Sequence, residues 1–277
     1  MDVSKKISER IELIVLTFQV GRKFAEGIHD QMDLVCQLKE VDEEYRSMAF
    51  EGASMAIAIR SLEANDGCQM WSEFLDSNIE YATQIMIGYG WAIGEKGISP
   101  EGVLGALDPM IQGRALDGYG YYMGLFKRRI SIRTQQIPED VPDDLLLAYD
   151  QGIGRSLWYI SKGDLQMLGR MMESFPEYRQ KHMWLGLGVA CPIVGGYDVF
   201  HLKQLGELAG DFKFQLATGC TLAARSSIAS NTENIYLDQA CELWLNCSKT
   251  EAAKLTDIDS VSYPYWIEAI SESITGR

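Results

Sequence analysis

The sequence predicts an all-α fold, a duplicated helical unit held together by close, glycine-mediated helix packing. Three observations lead there. Apolar residues recur at helical spacing along most of the chain. Asp-Gly occurs at 66–67 and 117–118, but neither pair is flanked by the apolar–polar alternation of a hairpin. Small residues recur one helical turn apart, at Gly88/Ala92, Gly90/Gly94, Gly120/Gly124 and Gly186/Ala190, where they let backbones approach. That contact offsets the cost of roughly 1 kcal/mol that glycine carries against alanine in a helix.

Taken in order, "ERIELIVLTFQVGRKFAEGIHDQM" puts Ile11, Ile14, Val15 and Phe18 on one broad apolar face. "EGASMAIAIRSLEA" and "LQMLGRMMESF" read as helices too. Breaks fall near 64–68, 94–101, 134–144, 192–198 and 228–234, where glycine, proline and polar residues collect. The segment 134–144, with two prolines and four acids, reads as a linker. It separates an N-terminal helical half (1–133) from a C-terminal one (145–277) within one compact domain.

The repeat comes from three anchors in one order. "MIGYGWA" (86–92) matches "WLGLGVA" (184–190); upstream, "FEGASMAIAI" answers "DQGIGRSLWY"; downstream, "ALDGYGYYMG" answers "QLATGCTLAA". The offset of about 100 residues predicts the duplication.

Composition narrows the function. A formal charge of −14 excludes nucleic-acid binding, which needs clustered Lys and Arg. The one basic cluster, "FKRRISIR" (126–133), reads as a helix end whose cations favour the dipole. No apolar run is long enough for a membrane span. Glu9, Arg10 and Glu12 interrupt what would be the apolar part of a signal peptide, so a cytoplasmic protein is expected. The six cysteines have no zinc or redox spacing and are expected to be reduced, buried, small apolar residues.

Three acids stand in apolar or glycine-rich helical context: Glu51, Asp117 and Asp150. A carboxyl in such a place is held protonated and serves as a general acid, or else it caps a helix, pairs with Arg114 or Arg155, or simply faces water. Across the repeat Asp117 faces the uncharged Thr218, and symmetric packing does not account for that acid. "DDLLLAYD" (143–150) spaces its acids too widely for a magnesium–diphosphate cluster, and Asp143 and Asp144 suit a helix start. Aromatics gather around the glycines: Tyr81, Tyr89, Trp91, Tyr119, Tyr121, Tyr122, Trp158, Tyr159 and Trp184. They line a pocket for a polyene or isoprenoid, or they fill the core. His29, His182 and His201 are isolated, and neither a nucleophile elbow nor a dinucleotide loop is present.

In their order, "FEGASMA", "GYGWA", "LDGYGYYMGLF", "DQGIGRSLWYISKGD", "WLGLGVACPIVGG" and "QACELWLNCSKTEAAKLTD" resemble one bacterial family, domain-of-unknown-function family 1702. "IELIVLTFQVGRKF" resembles its opening helix, so the likeness covers nearly the whole chain. The matching motif positions are Glu51, Gly52, Gly88, Gly90, Trp91, Asp117, Gly118, Gly120, Asp150, Gln151, Gly152, Gly154, Arg155 and Trp158. The family is met beside enediyne polyketide synthases and in other natural-product clusters, which implies a biosynthetic setting. Enediyne members carry histidines just before the G-x-G-W-A motif and just after the D-G-Y-G one. Tyr81, Met86 and Tyr122 occupy those regions here, which argues against histidine-dependent chemistry and an enediyne product.

The expectation is therefore a cofactor-independent, metal-free cyclase or isomerase of a hydrophobic polyene or terpenoid-like substrate. Asp117 is the expected proton donor, Glu51 or Asp150 its partner carboxylate and Arg155 the charge orienter. Tyr89, Trp91, Tyr119, Tyr122 and Trp158 are the expected substrate contacts. The rival is a non-catalytic protein that binds an intermediate or a synthase partner, and a third reading is a magnesium-dependent diphosphate enzyme. Small-residue faces also admit a homodimer.

Overall fold

The computed structural model describes residues 3–276, and every regular element among them is helical. The α-helices are α1 (Val3–Gly27), α2 (Gln31–Lys39), α3 (Arg46–Ala64), α4 (Gln69–Asp76), α5 (Ala82–Lys96), α6 (Pro100–Leu104), α7 (Pro109–Phe126) and α8 (Leu146–Ser161). They continue with α9 (Leu165–Glu173), α10 (Glu177–Val194), α11 (Val199–Ala209), α12 (Lys213–Ala229), α13 (Ile235–Leu245), α14 (Lys249–Lys254) and α15 (Tyr263–Thr275). No described helix is long and apolar enough to cross a membrane.

Helix ends follow local chemistry. The first apolar pattern stops at Gly27 rather than running through Met32, because the Asp30 side chain accepts from the Asp33 amide and starts α2. Asn65 and Gly97 turn left-handed to end α3 and α5. Asp164 and Asp198 cap α9 and α11.

Seven long helices, α1, α3, α5, α7, α8, α10 and α12, pack each on the next. Neighbours run parallel. Along α1 and α3, for instance, Arg10 reaches Glu44 just ahead of α3, Arg22 reaches Met55 and the Ala25 carbonyl accepts from Arg60. Along α7 and α8, Asp117 meets Gln151 and Gly124 meets Ser156. Parallel neighbours require the chain to travel back between them, and the short helices α2, α4, α6, α9 and α11 lie on those return paths. The return between α7 and α8 runs over residues 127–145 and contains the segment 134–144.

Glycines set the seams. The first glycines Gly52, Gly88, Gly118, Gly152, Gly186 and Gly219 recur roughly 30–36 residues apart. Each lies against the backbone of the preceding long helix. A Cβ on Gly118 would overlap the Ile87 carbonyl, and one on Gly152 the Asp117 carbonyl. Two residues on, Gly90, Gly120, Gly154 and Gly188 lie against the following helix in the same way. The expected offset of about 100 residues thus spans three of these shorter intervals.

Of the cysteines, only Cys191, Cys220 and Cys241 are buried; Cys36 is exposed, contrary to expectation, and Cys68 and Cys247 are half-buried. Cys36 lies on the two-turn outer helix α2, whose buried apolar side chains are Leu34 and Leu38.

Candidate functional site

The seven long helices surround a cavity of about 330 Å³. Its wall follows a simple register. Three residues after each first glycine stand Met55, Trp91, Tyr121, Arg155, Val189 and Leu222, and all six line it. Seven residues after stand Glu95, Leu125, Tyr159, Ile193 and Ser226 from α5, α7, α8, α10 and α12, and these line it too. One glycine of each pair faces each neighbour, so the side chains between those seams on the inner side point to the centre.

Glu51, Trp91, Tyr122 and Arg155 of the expected residues lie on this wall. Trp91 is the centre of its aromatic side. Its ring is 4.9 Å from both Phe18 and Tyr121, 5.8 Å from Phe126 and 6.0 Å from Tyr122. Gly94 leaves the space that the Tyr122 ring fills. Tyr121 and Tyr159 stand 5.3 Å apart, and burial raises the pKa of both hydroxyls.

Tyr89, Tyr119 and Trp158 lie elsewhere. Tyr89 and Tyr119 sit between the two glycines of their pairs, a position turned away from the cavity. Tyr89 packs on Trp71 at 4.6 Å and its hydroxyl meets Cys68 Sγ at 2.9 Å. Tyr119 packs on Tyr149 at 6.0 Å. Trp158 meets Tyr197 edge-on at 5.0 Å.

The acids divide three ways. Glu51 is buried on the cavity wall and joins no ion pair among the described residues. Burial raises its pKa to about 8, against the pull of Arg155. The Trp91 indole lies close enough to favour the ionised form, although its N–H makes no hydrogen bond of ordinary geometry. Asp117 is wholly buried behind the wall. Its Oδ2 accepts from Gln151 Nε2 and Arg155 Nη2, each at 2.7 Å, and the Tyr263 hydroxyl donates to Gln151 Oε1 at 2.7 Å. Burial raises the Asp117 pKa, and Arg155 and Arg114 oppose the rise. Asp117 therefore holds Arg155 in place. Asp150 faces away from α7, paired with Arg179, and its pKa too is raised by burial. Asp143 and Asp144 are exposed at the approach to α8, apart from it. Among the described residues no three His, Cys, Asp or Glu side chains converge on one point.

Arg114 is a wall residue that the sequence did not point to; Tyr121 and Tyr159 stand among the gathered aromatics but not among the expected substrate contacts, and both line the cavity. Arg114, Asp117, Tyr121 and Leu125 share one face of α7, as do Gln151, Arg155 and Tyr159 on α8. Counting along each helix from its first glycine would have found Tyr121 and Tyr159. Arg114 is buried, and burial lowers its pKa. Its guanidinium lies 5.2 Å from the Tyr263 ring and 5.1 Å from that of Trp266, a cation between two π-faces. Gly113 makes room for Tyr263.

A family model for a protein of unknown function, DUF1702, matches residues 2–265. The chain belongs to that family. No curated protein and no solved structure matches it.

Proposed function

We propose that this DUF1702 protein is a cofactor-independent acid–base catalyst, a cyclase or isomerase of an apolar, unsaturated natural-product intermediate. The observation that carries the reading is Glu51: a buried carboxyl, outside any ion pair among the described residues, its pKa raised to about 8 on the wall of a largely apolar cavity. A carboxylic acid in that state is what a general acid needs. The biosynthetic setting and the polyene or terpenoid class rest on the family resemblance.

Glu51 donates its proton to a carbon–carbon double bond, and the developing carbocation is stabilised by the faces of Trp91, Phe18 and Tyr121. After rearrangement or ring closure the carboxylate takes a proton from a neighbouring carbon, so acid and charge are both restored. Arg155 favours the carboxylate that exists between the two steps. Asp117, the donor expected from the sequence, becomes the positioning residue of Arg155, because both its contacts run behind the wall.

The test is solvent exchange. In D2O the wild type should place deuterium on carbon in isoprenoid and polyene chains, and Glu51→Gln should lose about 100-fold or more of that rate. Full exchange in Glu51→Gln would end the proton-donor role. Binding without any exchange by the wild type would favour the second reading, a non-catalytic carrier. That reading is favoured by Val15 and Phe126, which line the cavity and are exposed, offering an apolar rim to a synthase partner.

A further inference from the structure

The polar end of the cavity has more positive charge than it can use. The buried ion pairs among the described residues are Arg155–Asp117 and Arg179–Asp150, and Arg114 belongs to neither. Arg114 is 5% exposed, lines the cavity, and its Nη1 has no hydrogen-bond partner among the described residues. Arg155, 8% exposed on the same wall, spends Nη2 on Asp117 and leaves Nε without a partner. An arginine has five N–H donors and no acceptor, so a buried one is ordinarily paired. Two aromatic faces steady the Arg114 cation but accept none of its hydrogen bonds in the plane. Asp117 pairs with Arg155, and among the described residues no acid pairs with Arg114, so its charge is left unmatched.

We propose that Arg114, with Arg155 beside it, receives a carboxylate, so that the cavity's occupant is an apolar-chain carboxylic acid bound as its anion. This deepens the proposed function and rests on the reading of the cavity as a ligand site. One unmatched charge suits one carboxylate, whereas a diphosphate brings more negative charge than the two arginines and Asp117 leave room for. A guanidinium fork matches the planar carboxylate, and the aromatic and aliphatic wall takes the chain. A bound anion also opposes ionisation of Glu51, keeping the acid in its donating form.

The experiment compares farnesoic acid with its methyl ester by quenching of tryptophan fluorescence, Trp91 being in the wall. The acid should bind wild type about tenfold or more tightly than the ester. Arg114→Met should bring the two ligands level, and Arg114→Lys should keep part of the preference. Far-UV circular dichroism checks each variant; if Arg114→Met does not fold, the wild-type comparison decides. Equal binding of acid and ester overturns the carboxylate proposal and leaves the cavity reading standing. Binding of neither overturns both. An acid preference without deuterium exchange upholds the carboxylate site while removing the catalytic reading.

Discussion

Two buried acid–arginine pairs lie on either side of α8, and they are finished to different degrees. Arg179 Nε lies 3.0 Å from both Asp150 oxygens, its Nη2 also meets Oδ1, and its Nη1 donates to the Gln135 carbonyl at 2.9 Å. The Phe175 ring lies 5.2 Å from the same guanidinium. Asp117 takes both of its hydrogen bonds on Oδ2, while among the described residues Oδ1, Arg155 Nε and Arg114 Nη1 have no partner. Buried polar groups are satisfied in the great majority of cases. The first pair is complete as structure; the second is arranged for something more.

The largest expected effect tests that contrast directly. Arg179→Met leaves Asp150 buried and unpaired, and should cost about 3–5 kcal/mol in urea denaturation. Arg114→Met removes a charge that has no acceptor to abandon. It loses the two ring contacts and a desolvation penalty together, so stability should stay within about 1 kcal/mol of wild type. Equal costs at the two positions would break the comparison.

The next effect belongs to Glu51. Its carboxyl titrates at about 8 in the folded protein against an ordinary 4.5. The folded state therefore binds the extra proton, and stability is lost as pH rises from the ordinary value through the folded one. Below that window the contribution is intact, and above it the loss levels off. Between pH ~5 and ~8 the wild type should lose on the order of 3 kcal/mol relative to Glu51→Gln. Paired denaturation curves cancel every other titrating group. A flat difference would mean that Glu51 is hydrated in the cavity and has an ordinary pKa.

How much of this was readable depends on which property the sequence writes down. Helical periodicity is local, so the all-α class and most breaks between helices can be read directly. The glycines are local too, but the neighbour each one touches is not. The 100-residue correspondence reads as a duplication along the chain, and in space it spans three long helices with their returns. Among the site residues, aromatic type drew attention to Tyr89 and Tyr119. The seam glycines on either side turn those two outward and turn Trp91 and Tyr121 inward. Glu51 and Arg155 were legible because a charge in a glycine-rich apolar helix is conspicuous. The sequence marks Arg114 only as a partner for one of the three acids, since the acceptor it lacks is invisible until the fold places its neighbours.

The smallest effect is the one that separates the two pairs most cleanly. Gly152 and Gly154 lie on opposite seams of α8: a Cβ on Gly152 would overlap the Asp117 carbonyl, and one on Gly154 the Met183 carbonyl of α10. Alanine gains about 1 kcal/mol of helix propensity at either position and loses more by pushing backbones apart, for a net cost of about 2 kcal/mol. The two variants should match in stability and differ in what they loosen. Gly152→Ala moves α8 from α7, so it should disturb Gln151, Arg155 and with them the pH window of Glu51. Gly154→Ala moves α8 from α10, where Asp150 meets Arg179, and should leave that window alone. Gly102→Ala, a change into open space, serves as the reference for propensity by itself. If Gly152→Ala and Gly154→Ala shifted the Glu51 window alike, α8 would be transmitting strain as a rigid rod, and the two pairs would be one network.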